Sequence, residues 1–232
     1  MTFLLVHGAW HGGWCWRPVA ERLRKAGHEV FAPSLTGLGE RRHLHNRNID
    51  LEVHIEDVVQ LIEMEDLNDI VLVGHSYGGM VVTGVADRLA PRIARLVYLD
   101  AFVPENGKCL LDYTVPERAA RMRHEGERTG FVTPPPMGLW GLKAPEHLDF
   151  VGPREVRHPY ATMSQPIRLE NFAEWAQIPK TFVYCSDPAT GSFDQFAARY
   201  REAPNWRFRE LKTGHAAMML VPDEVTQILL QL

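Results

Sequence analysis

The sequence has little cysteine, and this limits how the chain can be held together. Its three cysteines, Cys15, Cys109 and Cys185, are an odd number, and their spacing matches no metal-binding or redox motif. The pattern argues against a disulfide framework of the kind that stabilises small secreted proteins. We therefore expect three reduced thiols in a cytoplasmic protein.

The sequence also lacks a tract of one charge and a long apolar run. It has 25 lysines and arginines against 29 aspartates and glutamates, a net charge of −4, and the basic residues are scattered. No nucleic-acid partner is expected from this distribution. No apolar stretch approaches the length of a membrane span, and the first residues lack the features of a signal peptide. We expect a small-molecule substrate and no membrane partner, and both monomer and homodimer stay open.

Eleven histidines invite a metal hypothesis that their spacing does not support. His7 and His11 have the separation of zinc ligands on a helix, but the glycines around them disfavour a helix there. His43 and His45 lie in a charged loop with no cysteine or carboxylate ligand at a useful spacing. We predict no metal site and no cofactor.

Short apolar runs alternate with amphipathic stretches along most of the chain. This alternation predicts a single α/β domain over residues 1–232, with a mainly parallel sheet of about six strands and helices on both faces. The predicted strands are Phe3–Val6, His28–Ala32, Ile70–Val73, Arg95–Leu99, Thr181–Cys185 and Trp206–Leu211. The predicted helices are Pro18–Lys25, Ile49–Met64, Met80–Leu89 and a last one from Asp223.

One segment, residues 102–178, interrupts the alternation. It contains no convincing strand and is rich in proline, including Pro134–Pro136. Apolar residues such as Leu110, Phe131 and Trp140 are too many for a disordered linker. We expect a small, mostly helical cap over the carboxyl ends of the strands, where open α/β sheets bind ligands, and a core of residues 1–101 and 179–232.

The pentapeptide Gly74-His75-Ser76-Tyr77-Gly78 follows the third predicted strand and precedes a helix. A serine at the apex of such a sharp turn is presented above the sheet edge. The glycines are needed because a side chain at either position would collide with the adjacent strand or helix. The motif predicts that Ser76 is the nucleophile of a serine hydrolase.

A serine nucleophile requires a base, and His215 meets that requirement best. It lies in Thr213-Gly214-His215-Ala216, between the last strand and the last helix, so its imidazole belongs to the same sheet edge as Ser76. His7 also ends a strand, but it begins the loop that we expect to bind the oxyanion. The side chain of His75 is expected to pack within the turn.

The acid that orients the histidine has more than one candidate. Asp187 follows the strand that ends at Cys185 and gives the chain order serine, aspartate, histidine, so we predict Asp187. Asp100 ends the strand Arg95–Leu99 and stays open as an alternative, because acids can be supplied from that strand too. Asp194 is a weaker rival, since we expect it to cap a helix.

The oxyanion needs backbone N–H groups that are free of secondary structure. We assign one to Tyr77, directly after the nucleophile at the start of a helix. The second is assigned to Ala9, in the glycine-rich loop His7-Gly8-Ala9-Trp10-His11-Gly12-Gly13-Trp14 that follows the first strand. Glycines in that loop let the backbone approach a substrate closely.

These motifs resemble the α/β-hydrolase superfamily over the whole chain. More narrowly, the segments His7–Trp14, Gly74–Gly79, Leu99–Pro104 and Gly214–Met218 are similar to the plant methylesterase and hydroxynitrile lyase branch and its bacterial esterase relatives. The resemblance implies a Ser76–Asp187–His215 triad, although the run Tyr184–Asp187 departs slightly from the usual approach to the acid.

The same resemblance distinguishes two activities. Hydroxynitrile lyases of this branch have a threonine in place of Gly8 and a lysine directly after the catalytic histidine, where this chain has Ala216. That lysine stabilises the departing cyanide. Without it we predict a cofactor-free serine esterase, with a preference for methyl or aryl esters. A hydroxynitrile lyase, a lactonase and a small-molecule receptor with residual hydrolase activity stay open as alternatives.

The substrate is expected to enter an apolar pocket beneath the 102–178 segment. The residues predicted to line it are Gly8, Trp10, Phe102, Trp140 and Met218.

Overall fold

The chain is described here by a computed structural model, which gives the backbone of residues 1–232 and the side chains of residues 1–171 and 173–232. The strands are β1 (Thr2–Val6), β2 (Glu29–Phe31), β3 (Ile70–His75), β4 (Ile93–Leu99), β5 (Phe131–Val132), β6 (His158–Pro159), β7 (Lys180–Cys185) and β8 (Trp206–Leu211). The α-helices are α1 (Arg17–Lys25), α2 (Leu51–Met64), α3 (Gly78–Leu89), α4 (Pro116–Thr129), α5 (Pro145–Val151), α6 (Ala161–Ser164), α7 (Phe172–Gln177), α8 (Asp194–Tyr200), α9 (Ala217–Leu220) and α10 (Pro222–Leu230).

A six-stranded sheet in the order β2-β1-β3-β4-β7-β8 organises the molecule. Its neighbouring strands pair in parallel throughout. The prediction of a mainly parallel sheet with crossover helices is therefore confirmed. All five of the longer strands point their carboxyl ends to one edge, so the loops that follow β1, β3, β4, β7 and β8 converge there.

The two faces of the sheet pack against different helices, because successive side chains of a strand point in opposite directions. In β1, Leu4 and Val6 belong to one buried cluster with residues of α2 and α3. Phe3 and Leu5 belong to a second cluster with residues of α1 and α10. This two-sided burial explains the continuous apolar runs of β1 and β3.

Helix boundaries follow local capping chemistry. Helix α2 begins two residues later than predicted, because Asp50 is its N-cap and its carboxylate accepts a hydrogen bond from the Val53 N–H at 3.0 Å. Helix α4 ends at Thr129 and is capped by Gly130, whose φ of 81° is left-handed and suits glycine. Asp194 is the first residue of α8 and not its N-cap, which is Phe193.

The segment between β4 and β7 differs from the prediction in one respect. It contains short helices, as expected, but β5 and β6 also pair antiparallel within it, with Phe131 opposite Pro159 and Val132 opposite His158. The expectation that it holds no strand is therefore wrong. Two-residue strands are too short to produce an alternating pattern. Among the described residues, no helix combines the length and apolar content needed to cross a membrane.

Candidate active site

Ser76 lies at the turn between β3 and α3, where the backbone is forced into a left-handed conformation with φ of 54°. A Cβ added at Gly74 would come within 2.7 Å of the Gly78 carbonyl oxygen. A Cβ at Gly78 would meet the Val6 carbonyl oxygen at 2.7 Å. These contacts explain the glycine requirement of the motif, and the turn leaves Ser76 9% exposed at the carboxyl edge of the sheet.

His215 follows β8 and lies on the same edge, almost completely buried. Its Nδ1–H donates a hydrogen bond of 2.7 Å to Oδ2 of Asp100. Because a neutral imidazole carries one proton, this bond leaves Nε2 as the basic nitrogen. Burial lowers the pKa of His215 to about 3, so the imidazole is uncharged at neutral pH and able to accept a proton.

The prediction of Asp187 as the partner of His215 is wrong, and the alternative residue Asp100 holds that position. Asp187 is exposed on the loop after β7, and its backbone N–H bonds to the carbonyl of Thr213. The Asp187 carboxylate therefore faces solvent, while a buried carboxylate on the neighbouring strand end reaches the imidazole.

Asp100 is fixed in place by several contacts at the end of β4. Its backbone has a φ of 42°, and its N–H donates to the Val183 carbonyl at 2.7 Å. The second carboxylate oxygen, Oδ1, accepts the Cys185 N–H at 3.1 Å. Burial raises the pKa of Asp100, and the hydrogen bond from Cys185 acts in the opposite direction. Both carboxylate oxygens are thus engaged, which orients the His215 ring.

The two predicted oxyanion donors, Ala9 and Tyr77, lie in the wall of one cavity together with Ser76 and His215. Neither of their backbone N–H groups donates a hydrogen bond to another described residue. Tyr77 directly precedes α3, whose N-terminus carries partial positive charge. The arrangement provides two free donors beside the nucleophile.

The loop that carries Ala9 is anchored to the 102–178 segment through Trp10. The Trp10 backbone N–H donates to Nδ1 of His158 at 3.2 Å, and its carbonyl accepts from the Val156 N–H at 3.0 Å. The indole N–H bonds to the Val132 carbonyl at 2.9 Å. These bonds hold Trp10 at a φ of 65°, a conformation that a non-glycine residue rarely adopts.

The cavity above Ser76 contains about 590 Å³ of empty space, including its open mouth. Trp10, Phe102 and Trp140 line it, as predicted from the sequence. Its other walls are Leu110, Thr114, Arg118, Arg121, Met122, Val132, Pro135, Met163, Thr190, Ser192 and Phe193. Most of these residues come from the 102–178 segment, so that segment shapes the space in which a substrate would lie.

Gly8 and Met218 were predicted to line the pocket, and the structure places both outside it. A Cβ at Gly8 would meet His75 Nδ1 and Ser76 Cβ, each at 2.9 Å, so this position packs against the turn. Met218 is buried in the core cluster that also contains Trp140. Gly8 packs against the turn that carries Ser76, and neither position lines the cavity.

Sequence reasoning missed three contributions to the site. His75 does more than pack, since its Nε2–H donates to the His215 carbonyl at 2.9 Å. His158 lies in a segment without a periodic pattern, and nothing in the sequence indicated its bond to Trp10. Arg118 and Arg121 share one face of α4 by their spacing, a signal that could have been found if the helix had been placed.

Among the described residues, no group of three or more potential ligands is arranged to hold a metal ion.

The model of the alpha/beta hydrolase family matches residues 3–228. A carbendazim hydrolyzing esterase from Nocardioides sp. (strain SG-4G) is 42% identical over 97% of this chain and 97% of its own length. Methylesterase 2 of Arabidopsis thaliana is 26% identical over 98% of this chain and 94% of its own.

Solved structures give the same assignment. An extracellular alpha/beta-hydrolase from a Paenibacillus species, described as sharing structural and functional homology with tobacco salicylic acid binding protein 2, superposes with a TM-score of 0.86. It is 26% identical and the match covers 100% of this chain and 98% of that one. The similarity therefore extends over the sheet and the 102–178 segment together.

Proposed function

The chain belongs to the alpha/beta hydrolase family and is a carboxylesterase-type hydrolase, and from that premise we propose that Ser76, His215 and Asp100 hydrolyse small ester substrates through an acyl-enzyme. The observation that carries the proposal is the 2.7 Å bond between His215 Nδ1 and Asp100 Oδ2 at the wall of the cavity that contains Ser76. This is the relationship between base and acid that activates a serine.

The reaction begins when Ser76 Oγ attacks the ester carbonyl carbon and His215 Nε2 takes the hydroxyl proton. Asp100 stabilises the imidazolium that forms. The N–H groups of Ala9 and Tyr77 hold the negative carbonyl oxygen of the tetrahedral intermediate. Collapse of that intermediate breaks the bond to the alkoxy oxygen, and His215 returns its proton to the departing alcohol.

Water completes the cycle. His215 Nε2 removes a proton from a water molecule as its oxygen attacks the acyl carbon, and a second tetrahedral intermediate forms at the same oxyanion donors. Its collapse releases the carboxylic acid and returns the proton to Ser76. No cofactor is needed, because the chain's own groups make every proton transfer.

The cavity favours methyl or aryl esters with a flat or medium-length apolar part. Trp10, Phe102, Trp140 and Phe193 present aromatic surfaces around Ser76, and aromatic side chains bind apolar groups at low entropic cost. The similarity to a carbendazim hydrolyzing esterase and to plant methylesterases supports the same class of substrate.

Cleavage of cyanohydrins is less well supported. The position after His215 is Ala216, which is buried and carries no charge to stabilise a departing cyanide. We therefore favour hydrolysis over lyase chemistry in this pocket.

A panel of methyl, aryl and lactone esters, with carbendazim and mandelonitrile added, tests the proposal. We expect multiple turnover on simple esters, loss of several orders of magnitude in Ser76→Ala, and covalent attachment of a fluorophosphonate to the peptide that contains Ser76 by mass spectrometry. Rapid cyanide release would instead indicate a lyase. Binding with a single slow turnover would indicate a receptor, and full ester activity in Ser76→Ala would overturn the assignment of the nucleophile.

A further inference from the structure

The cavity that contains Ser76 and His215 is lined by two chemically different sets of residues. One set is aromatic and includes Trp10, Phe102, Trp140 and Phe193. The other set forms a polar wall, with the hydroxyls of Thr114, Thr190 and Ser192 and the guanidinium groups of Arg118 and Arg121. Hydrolysis of a simple apolar ester needs no cation at that wall.

Neither guanidinium group has an acidic partner among the described residues. Arg118 makes one hydrogen bond, from Nη1 to Ser192 Oγ at 2.9 Å, and neither arginine forms an ion pair. Glu125, one helical turn beyond Arg121, accepts a hydrogen bond from Thr133 and forms an ion pair with Arg157. The positive charge at this wall is therefore not neutralised by the chain itself.

The placement of Arg118 is electrostatically unfavourable in the absence of an anion. It is half-buried in the first turn of α4, where the helix dipole disfavours cations, and the charge of Arg121 adds to the repulsion. Burial and the proximity of Arg121 lower the pKa of Arg118. A bound anion would relieve all three costs at once.

We propose that Arg118 and Arg121 bind a carboxylate of the substrate, so that the preferred esters are half-esters of dicarboxylic acids. This rests on the proposed esterase function and specifies its substrate class. A planar guanidinium donates two parallel hydrogen bonds to a carboxylate, and the Arg118 nitrogens that do not contact Ser192 are available for them. The apolar part of the substrate would lie against the aromatic residues of the cavity, with the ester carbonyl at Ser76 and the free carboxylate at the arginines.

The test compares each monomethyl ester with the dimethyl ester of the same acid, using straight-chain dicarboxylic acids of increasing length and terephthalic acid. For wild type, kcat/KM of the half-ester relative to the diester should be highest at one chain length. In Arg118→Gln/Arg121→Gln this ratio should fall by about tenfold or more, the size expected for loss of charge-assisted hydrogen bonds. In Arg118→Lys the ratio should lie between those of wild type and the double variant.

Arg123→Gln is the matched control, because Arg123 is exposed on the same helix and does not line the cavity. Its ratio should equal that of wild type. If the ratio fell equally in Arg123→Gln, the preference for half-esters would be due to the overall charge of the helix and not to the two cavity arginines. An unchanged ratio in the double variant would likewise overturn the proposal.

Calorimetric binding to Ser76→Ala separates this proposal from the esterase assignment. The half-ester should bind Ser76→Ala about tenfold more tightly than it binds the variant that also lacks both arginines, whereas the diester should bind the two alike. If this binding difference appears but wild type hydrolyses no ester, the anion site stands and the esterase function fails. If wild type hydrolyses diesters but half-ester binding does not depend on the arginines, the esterase function stands and this proposal fails.

Discussion

Oδ1 of Asp100 accepts the backbone N–H of Cys185 at 3.1 Å. The end of β7, where the sequence predicted the acid, thus supplies a hydrogen-bond donor to an acid on β4. Because Oδ2 of the same carboxylate binds His215, Asp100 joins two strand ends to the imidazole. Asp100, at the end of the neighbouring strand, therefore makes the contact with His215 that the sequence analysis assigned to Asp187.

Asp100→Asn should lower kcat by up to about 10⁴-fold, because an amide cannot hold the imidazole in the tautomer that leaves Nε2 basic. The kcat of Asp187→Asn should stay within about threefold of wild type, since its side chain is exposed and His215 Nδ1 is already bonded to Asp100. Steady-state kinetics on a methyl ester measures both, with thermal melts to show that each variant is folded. If Asp187→Asn lost most of its kcat while Asp100→Asn stayed active, Asp187 would be the acid, as the sequence predicted.

The contrast between Asp100 and Ser76 shows which parts of the site a sequence can predict. Ser76 lies in a local motif whose glycines fix its geometry, so the sequence around it is sufficient. The choice between Asp100 and Asp187 depends on which carboxylate reaches His215 across neighbouring strands, a long-range relationship that spacing does not encode. The sequence did not predict β5 and β6 for a similar reason. Each has only two residues, and their pairing is a contact between distant parts of the chain.

His158 should act as a positioning residue for the oxyanion donors. Its Nδ1 accepts a hydrogen bond from the backbone N–H of Trp10, the residue after Ala9. Its ring centroid lies 4.7 Å from that of Tyr77. Removing the acceptor in His158→Ala should release the loop and lower kcat by about tenfold, less than direct loss of a donor, with little change in KM.

His158→Asn provides the conservative control, because its side-chain oxygen can accept the same Trp10 N–H. It should recover most of the lost kcat. A loss confined to KM, or an Asn variant no better than the Ala variant, would show that His158 serves packing alone.

Gly8→Ala should reduce both stability and kcat. The added Cβ would lie 2.9 Å from His75 Nδ1 and from Ser76 Cβ, and His75 in turn holds the His215 carbonyl. Overpacking of this kind costs about 1–3 kcal/mol and would displace the nucleophile. Thermal unfolding and steady-state kinetics measure the two effects.

Gly138→Ala is the matched control for Gly8→Ala. No atom lies within 4 Å of a Cβ built at Gly138, so this variant should keep the unfolding temperature and activity of wild type. If Gly8→Ala behaved in the same way, the close contact around Ser76 would be disproved.

Acid should unfold the protein at a higher pH than carboxylate titration alone would predict. Burial lowers the pKa of several buried histidines, to about 4 for His7 and His54 and to about 3 for His215. Since the unfolded chain binds protons on these rings below about pH 6.5 and the folded chain does not, stability is lost as the pH falls through that value. At pH 5 the loss is about 2 kcal/mol for each of these three rings by linkage.

Two carboxyl groups oppose this trend, and three further buried histidines add to it. Burial raises the pKa of Asp100, and it raises the pKa of Glu155 to about 7, so the folded state gains protons there as the pH falls. Burial also lowers the pKa of His11, His75 and His158, which adds to the histidine side. We expect the unfolding temperature to drop steeply between pH 6.5 and 5, with proton uptake on unfolding measurable by calorimetry in buffers of different ionisation enthalpy. The variant His43→Gln, at an exposed site, should show the same dependence of unfolding temperature on pH as wild type. An unfolding temperature that did not change between pH 6.5 and 5 would contradict the conclusion that the buried histidines are neutral.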